Sequence, residues 1–326
     1  MNQLGKPHGA LGVSQHLGII SPAYFVATVG PAAEPAFVHH LLRTRLYISE
    51  YERRGKFMPP SQFDISWDQF RSIEVMLPPR SEQRKIADWL DQETSRIDSL
   101  TALKRRLRDL AWHRYVAAID ASCAELPDVV PLKRVARVDY GLGQPPPLAE
   151  AGVPIVRATN ISRGRITPEK LIFAATTDIP WSRCPPLMVG ELLVVRSGAL
   201  TGDSAMVTSE WAGAAPGYDL RVMPKSVDPA LLANQFLGQF VGDQIDLARG
   251  RAAQPHLNAE DLGDVKVRVG PAKVERDLAL RLTRLREDSG GLGSALSAQI
   301  DLLVEHRQAL ITAAVTGELE IPGVAE

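Results

Sequence analysis

The feature that most constrains this chain is that it carries one pattern twice. Ser21-Pro22-Ala23-Tyr24 is matched by Ala215-Pro216-Gly217-Tyr218, and the register then holds at an offset of roughly 192 to 195 positions. Arg53-Arg54-Gly55-Lys56 faces Arg249-Gly250-Arg251, Ile65 to Phe70 faces Leu257 to Leu262, and Ile73 to Val75 faces Val265 to Val267. Both copies then reach proline, at Leu77-Pro78-Pro79 and Val269-Gly270-Pro271, and continue into a long helix-forming stretch ending in His113-Arg114 or His306-Arg307. Chance similarity does not keep register that long. The copies differ at the front, because residues 131 to 211 precede the second Pro-x-Tyr element and only a short segment precedes the first. The repeat therefore predicts one complete domain and one partial domain, each followed by a long helix.

No Pro or Gly interrupts Ser81 to Ile119, Ser81 is placed to cap with Glu82 beside it, and apolar residues fall at Ile86, Leu90, Ile97, Leu100, Leu107, Ala111 and Ala118. Steps of four and three make a seam for one partner helix, with misses at Glu93, Lys104 and Arg114. The second stretch runs from about Lys273 to Val315 and places Leu278, Leu282, Leu285, Leu292, Leu296, Leu303 and Leu310 on a similar seam. Gly290, Gly291 and Gly293 predict a kink or break there, since each glycine costs about 1 kcal/mol relative to alanine in a helix. The two helices are expected to pair antiparallel, with Ile86, Leu90, Ile97, Leu100, Leu107, Leu296, Leu303 and Leu310 as packing residues.

Residues 131 to 271 hold short β-rich runs, Val153 to Arg157, Leu192 to Arg196, Leu220 to Met223 and Val265 to Val269, broken by Gly and Pro clusters. One helix is expected from Pro229 to Leu247, matched by Pro35 to Tyr51 in the first copy. The fold class is α+β: one complete and one partial domain, each a small twisted sheet with helices, joined by two long helices in an antiparallel coiled coil. The expected segments are 1–78, the end of the first domain; 79–125, the first long helix; 126–271, the second domain; and 272–326, the second helix and tail.

Motifs for catalysis are missing from the sequence. There is no GxxxxGK[ST] phosphate loop, GxGxxG turn, HExxH pair or GxSxG elbow. The clamp a base-modifying methyltransferase needs, Asn or Asp followed by Pro-Pro-aromatic, is not matched by Cys184-Pro185-Pro186. Two cysteines without CxxC or Cys/His spacing argue against zinc and against a disulfide framework, and fit a reducing cytoplasm. The run from Leu17 to Gly30 is broken by Pro22 and is too short to span a bilayer, so neither a membrane segment nor a signal peptide is read.

A net charge of −1 means that any nucleic-acid surface is local. Three clusters have the right chemistry, because arginine forks onto guanine or phosphate and amides pair with adenine. The first is Arg157, Thr159, Asn160, Arg163 and Arg165; the second is Arg196, Ser197 and Thr201 around a glycine turn; the third is Arg249, Arg251, Gln254, His256 and Asn258. Arg53, Arg54 and Lys56 recur at the third position in the first copy, and Tyr218 of the repeated element joins the set. Each has a plainer reading: an exposed turn for the first, a hairpin for the second, and helix C-capping for the third.

Several stretches resemble the specificity subunit of type I restriction-modification systems, over essentially the whole chain. Leu77-Pro78-Pro79 with Glu82-Gln83, Ile86-Ala87 and Ile97-Asp98 looks like the family's entry to its spacer helix, and Ala309 to Leu319 (ALITAAVTGEL) looks like its C-terminal signature. Gly18 to Tyr24 and Gln254-Pro255-His256-Leu257-Asn258 look like elements of its target-recognition domains. The resemblance implies a non-catalytic subunit whose recognition domains each read half of a split site in double-stranded DNA, with paired helices fixing the gap. It implies methyltransferase subunits and a restriction subunit as partners, which would bring S-adenosylmethionine, ATP and Mg, so that this chain binds no cofactor or metal. Glu275-Arg276-Asp277 in place of the Glu-Gln entry, read as one residue shorter, and the glycines of the second helix depart from the pattern. The expectation is thus a truncated specificity subunit whose second domain is the competent reader, against the alternative of a scaffold that holds methyltransferase subunits without reading DNA.

Overall fold

The computed structural model describes residues 11–14, 16–21, 24–57, 63–249 and 256–324. It divides into two units, Met1–Arg108 with Ala295–Glu326, and Asp109–Ser294. Both boundaries fall inside long helices, so each unit takes part of both.

The first unit contains α1 (Pro35–Leu41), α2 (Arg45–Arg54), the short antiparallel pair β1 (Lys56–Phe57) and β2 (Phe63–Asp64), α3 (Trp67–Arg71) and the first part of α4 (Arg80–Cys123). The second unit holds β3 (Asp128–Pro131), α5 (Leu132–Val135), β4 (Ala136–Tyr140), β5 (Val153–Val156), β6 (Ile161–Ser162), β7 (Arg165–Ile166), β8 (Ile172–Ala174), β9 (Leu192–Val194), β10 (Ser204–Met206), β11 (Ala215–Pro216) and β12 (Leu220–Pro224). It continues through α6 (Pro229–Gln235), α7 (Gln239–Arg249), α8 (Ala259–Asp264) and β13 (Lys266–Val269) into α9 (Ala272–Thr316). Its main sheet has the order β10-β9-β12-β4 and is antiparallel throughout, a three-stranded sheet runs β11-β5-β8, and β13 pairs with β3. The class is α+β, as read from the sequence, and the expected β-rich runs are strands to within two residues.

The repeat is realised as two equivalent cores. In the first unit Ile86, Ala87 and Leu90 of α4 pack with Phe37 of α1 and with Ile311 and Val315 of α9. In the second, Leu278, Ala279 and Leu282 of α9 pack with Leu231 of α6 and with Ile119 and Cys123 of α4. The two long helices run antiparallel within each unit: Asp98 meets Arg307 and Lys104 meets Gln299 in one, while Tyr115 and Leu282 share a core in the other.

Five expectations are corrected. Helix α4 starts at Arg80, and the Pro79 carbonyl accepts from Glu82 and Gln83, so Ser81 lies inside the first turn and does not cap. The seam keeps Ile86, Leu90 and Ile97 but then passes through Thr94 and Thr101, both buried, and leaves Leu100 and Leu107 each 49% exposed. Thr94 meets its hydroxyl's need at the Leu90 carbonyl, 2.7 Å away, which lets a polar side chain sit in the seam. On α9, Leu296 is buried and Leu303 and Leu310 are half-buried, while Leu292, expected on the same seam, is 44% exposed.

The single helix expected over Pro229 to Leu247 is two, α6 and α7, and Pro35 to Tyr51 likewise divides into α1 and α2. The break in the second unit is fixed by the Asp120 carboxylate, which accepts from Gln239 N at 2.8 Å and Phe240 N at 3.1 Å and so caps α7. Finally, α9 is continuous through Gly290, Gly291 and Gly293. A Cβ on Gly290 would lie 2.7 Å from the Arg165 guanidinium, so the helix keeps a glycine where an arginine crosses it.

Glu275 corrects the reading of a degenerate second entry. Gln83 accepts from Glu34 N at 2.8 Å and donates to Pro78 O and Ala32 O. Glu275 accepts from Asp228 N and Gly270 N, each at 3.0 Å. Both are buried, both join their helix to the start of α1 or α6 and to the residue before the helix proline, and no residue is missing between them and that proline.

Candidate nucleic-acid interface

At one end of the main sheet, three strand ends bring aromatic rings onto an arginine. Leu220 pairs with Val194 on one side and Tyr140 on the other, so Arg196, two residues beyond Val194, and Tyr218, two before Leu220, share a face with Tyr140. The close approach needs glycines beside both tyrosines: a Cβ on Gly141 would lie 2.1 Å from Gly217 O, and one on Gly217 would lie 2.6 Å from Val156 O.

The Arg196 guanidinium carbon stands 4.7 Å from the Tyr140 ring centroid and 4.4 Å from that of Tyr218. Its Nη2 donates to His256 Nε2 at 2.8 Å, which requires that nitrogen to be the ring's unprotonated acceptor. The backbone is held as well: Arg196 N donates to Asp219 Oδ1, Leu257 N donates to Arg196 O, and Ser197 bridges His256. Ala259 N donates to the Tyr140 hydroxyl at 3.1 Å, tying that ring to the start of α8. Asp219 is buried, and desolvation raises its carboxyl above the usual range against the opposing backbone N–H bonds of Arg196 and Ala158. Tyr140 and Tyr218 each remain 47% exposed and Arg196 is partly exposed, with its Nε buried and without a hydrogen-bond partner.

Tyr140 was not among the expected residues. Its signal was the Tyr140-Gly141 step, which mirrors Gly217-Tyr218.

The other expected contacts divide. Asn160 is enclosed: its Oδ1 accepts from Arg157 N and its Nδ2 donates to Thr167 O and Glu169 O, so its amide edge closes the loop. Arg157 donates to Lys170 O, and Thr159 is exposed. Arg163 stacks on Trp112 at 5.2 Å with Asp109 at 4.0 Å, and Arg165 lies against Gly290, so the β6-β7 hairpin uses both to sit on α4 and α9. Thr201 is buried, with its hydroxyl on Gly198 O, and its carbonyl accepts from Arg249, which also pairs with Asp246. Asn258 caps α8 through Asp261. In the first unit Arg53 and Arg54 converge on Glu50, whose carboxyl their hydrogen bonds bring down to about 2, and Lys56 is exposed in β1. Arg251 and Gln254 lie outside the described residues. The structure thus gathers Arg196, Ser197, Tyr218 and His256 into one site, and engages Asn160, Arg163, Arg165, Thr201, Arg249 and Asn258 elsewhere.

Among the described residues no cluster of His, Cys, Asp and Glu could hold a metal, and no helix is long and apolar enough to cross a membrane.

No family model and no curated protein matches this sequence. Solved structures do. A chain from a structure concerned with the complex assembly and conformational transition of the type I R-M system aligns over 88% of this chain and 72% of its own, at 20% identity and a TM-score of 0.63. An HsdS subunit from Thermoanaerobacter tengcongensis aligns over 88% of this chain and 71% of its own at 20% identity and TM-score 0.43. The type I restriction-modification S subunit from M. genitalium aligns over 87% and 73% at 15% identity and TM-score 0.42. The protein is an α+β repeat protein of long paired helices. Its fold is that of the first of these chains, from a type I R-M system.

Proposed function

We propose that the protein is the DNA sequence-specificity subunit of a type I restriction-modification complex, without catalytic activity of its own. The observation that carries this reading is the pairing of that fold with an arginine clamped between two half-exposed tyrosines at a strand-end rim. A guanidinium held by stacking and by His256 has already lost the rotamer freedom that base readout would otherwise take from it, and a fixed fork is what guanine or phosphate recognition needs. On this reading segments 1–78 and 126–271 are the recognition parts, of which the second is the reader. Methyltransferase subunits dock on the protein, a restriction subunit joins them, and S-adenosylmethionine, ATP and Mg belong to those partners in the cytoplasm.

The engagement of Asn160, Arg163, Arg165 and Arg249 inside the second unit favours one second reading, a scaffold that holds methyltransferase subunits and reads no sequence. Co-expression with a type I methyltransferase subunit, purification of the complex and selection from a randomised duplex library at moderate salt separates the two. Recovery of a consensus supports the specificity reading. A stable complex that selects nothing supports the scaffold, and no complex at all overturns both.

A further inference from the structure

The first unit holds a polar cluster that its counterpart lacks. In the repeat register that sets Phe37 on Leu231, the residues His39, His40 and Arg43 at the end of α1 fall on Ala233, Asn234 and Leu237. The second unit buries that alanine in its own core, so packing at this position does not call for an imidazole. In the first unit the two histidines and the arginine line a cleft of about 200 Å³ together with Arg307 and Gln308 of α9, and Ile48 and Ile311 give it an apolar wall.

Hydrogen bonding fixes the state of this cluster. Arg43 Nη1 lies 3.1 Å from His39 Nε2, and because a guanidinium only donates, that ring nitrogen accepts and the ring proton sits on Nδ1. His39 Nδ1 is itself buried and has no hydrogen-bond partner among the described residues. Burial first, then the charges of Arg43 and His40, hold His39 below the usual histidine value; Asp91 opposes this and Arg307 adds to it. The ring is therefore a neutral donor. A buried N–H without an acceptor is costly, and water or an ion is what relieves it. The neighbouring carboxylates are already engaged, Asp91 with His40 Nε2 at 2.8 Å and Asp98 with Arg307 Nε and Nη2 at 3.0 and 3.4 Å. Arg43 is exposed and has no carboxylate partner among the described residues. The cleft thus offers an orphaned N–H beside a guanidinium without a counter-ion, which is the donor set of an oxyanion site. Its volume admits one small oxyanion and falls below the range of sites for larger organic ligands.

We propose that this cleft binds a small tetrahedral oxyanion of the phosphate class, which accepts from His39 Nδ1 and from the Arg43 guanidinium. The test is calorimetric titration of the full-length chain with inorganic phosphate, at ionic strength held constant with chloride, for the wild type, Arg43→Ala and the control Arg45→Ala, which removes an exposed arginine outside the cleft. The histidine ring nitrogens are followed by NMR in the same titration, with His39 assigned from the signal lost in His39→Gln. The expected result is saturable binding by the wild type and by Arg45→Ala, weakened about tenfold or more in Arg43→Ala, with the His39 Nδ1 signal moving along the same isotherm. Circular dichroism unchanged between wild type and Arg43→Ala shows that the loss is not unfolding. No saturable binding up to roughly 10 mM phosphate overturns the proposal. Binding that Arg43→Ala retains in full, or that leaves the His39 signal unmoved, also overturns it by placing the ion elsewhere. None of these outcomes bears on DNA selection by the methyltransferase complex.

Discussion

Glu275→Ala gives the sharpest test of the equivalence between the two units. The carboxylate is shared by two backbone donors, Asp228 N and Gly270 N, each at 3.0 Å. Because the residue is buried, water does not replace it without local rearrangement. Leaving one buried donor unsatisfied costs about 1–3 kcal/mol, so the two together give about 2–6 kcal/mol. Glu275→Gln keeps one oxygen and should lose about 1–2 kcal/mol, since its new N–H groups can find carbonyls as those of Gln83 do. The reverse change, Gln83→Glu, sets a carboxylate against Pro78 O and Ala32 O, where the amide donates at 2.7 and 3.0 Å, and should destabilise more than Glu275→Gln. Urea denaturation followed by circular dichroism measures all three. A loss under about 0.5 kcal/mol for Glu275→Ala would refute the reasoning, because that is the range of a surface substitution.

Three further outcomes follow from the same structure. Gly290→Ala should raise the melting temperature, because the gain of about 0.5–1 kcal/mol in helix propensity opposes only a shift of the flexible Arg165 end, and differential scanning calorimetry would show it. Asp219→Asn should change the pH dependence of stability. The folded-state value is raised by burial, so the wild type loses stability as pH rises from the usual aspartate range through that value, and the asparagine variant does not. The difference in melting temperature between variant and wild type should therefore grow more positive from acid to neutral pH, and a flat difference would contradict the assignment. Trp112→Ala removes the face on which Arg163 stacks and should loosen the β6-β7 hairpin, read as faster amide exchange at Ser162 to Arg165.

The repeat made the architecture legible, because equivalent positions such as Ile86 and Leu278, or Phe37 and Leu231, had to serve equivalent cores. The seam of α4 was legible only in part. Leu100 and Leu107 follow the apolar count, yet Thr94 and Thr101 are buried in their place, Thr94 with its hydroxyl bonded back to its own helix. The break between α6 and α7 escaped because the capping carboxylate, Asp120, lies far away in sequence. The same distance hid the site. Arginine and asparagine have one appearance in a sequence whether they meet a base or a carbonyl, and only tertiary packing assigns Asn160 to its own loop and Arg196 to two tyrosines. Gly290 carried a misleading local signal, since α9 runs through it unbroken with the Arg165 guanidinium alongside.

The central claim, that the Arg196 stack reads DNA, is tested most directly by comparing the wild type with Arg196→Ala, each in complex with methyltransferase subunits, on the duplex consensus selected by the wild type and on its single-base variants at fixed salt. The account predicts that the variant keeps its partners, binds the consensus about 1–3 kcal/mol more weakly, and stops discriminating at one base position. Unchanged affinity with unchanged discrimination at every position would contradict it.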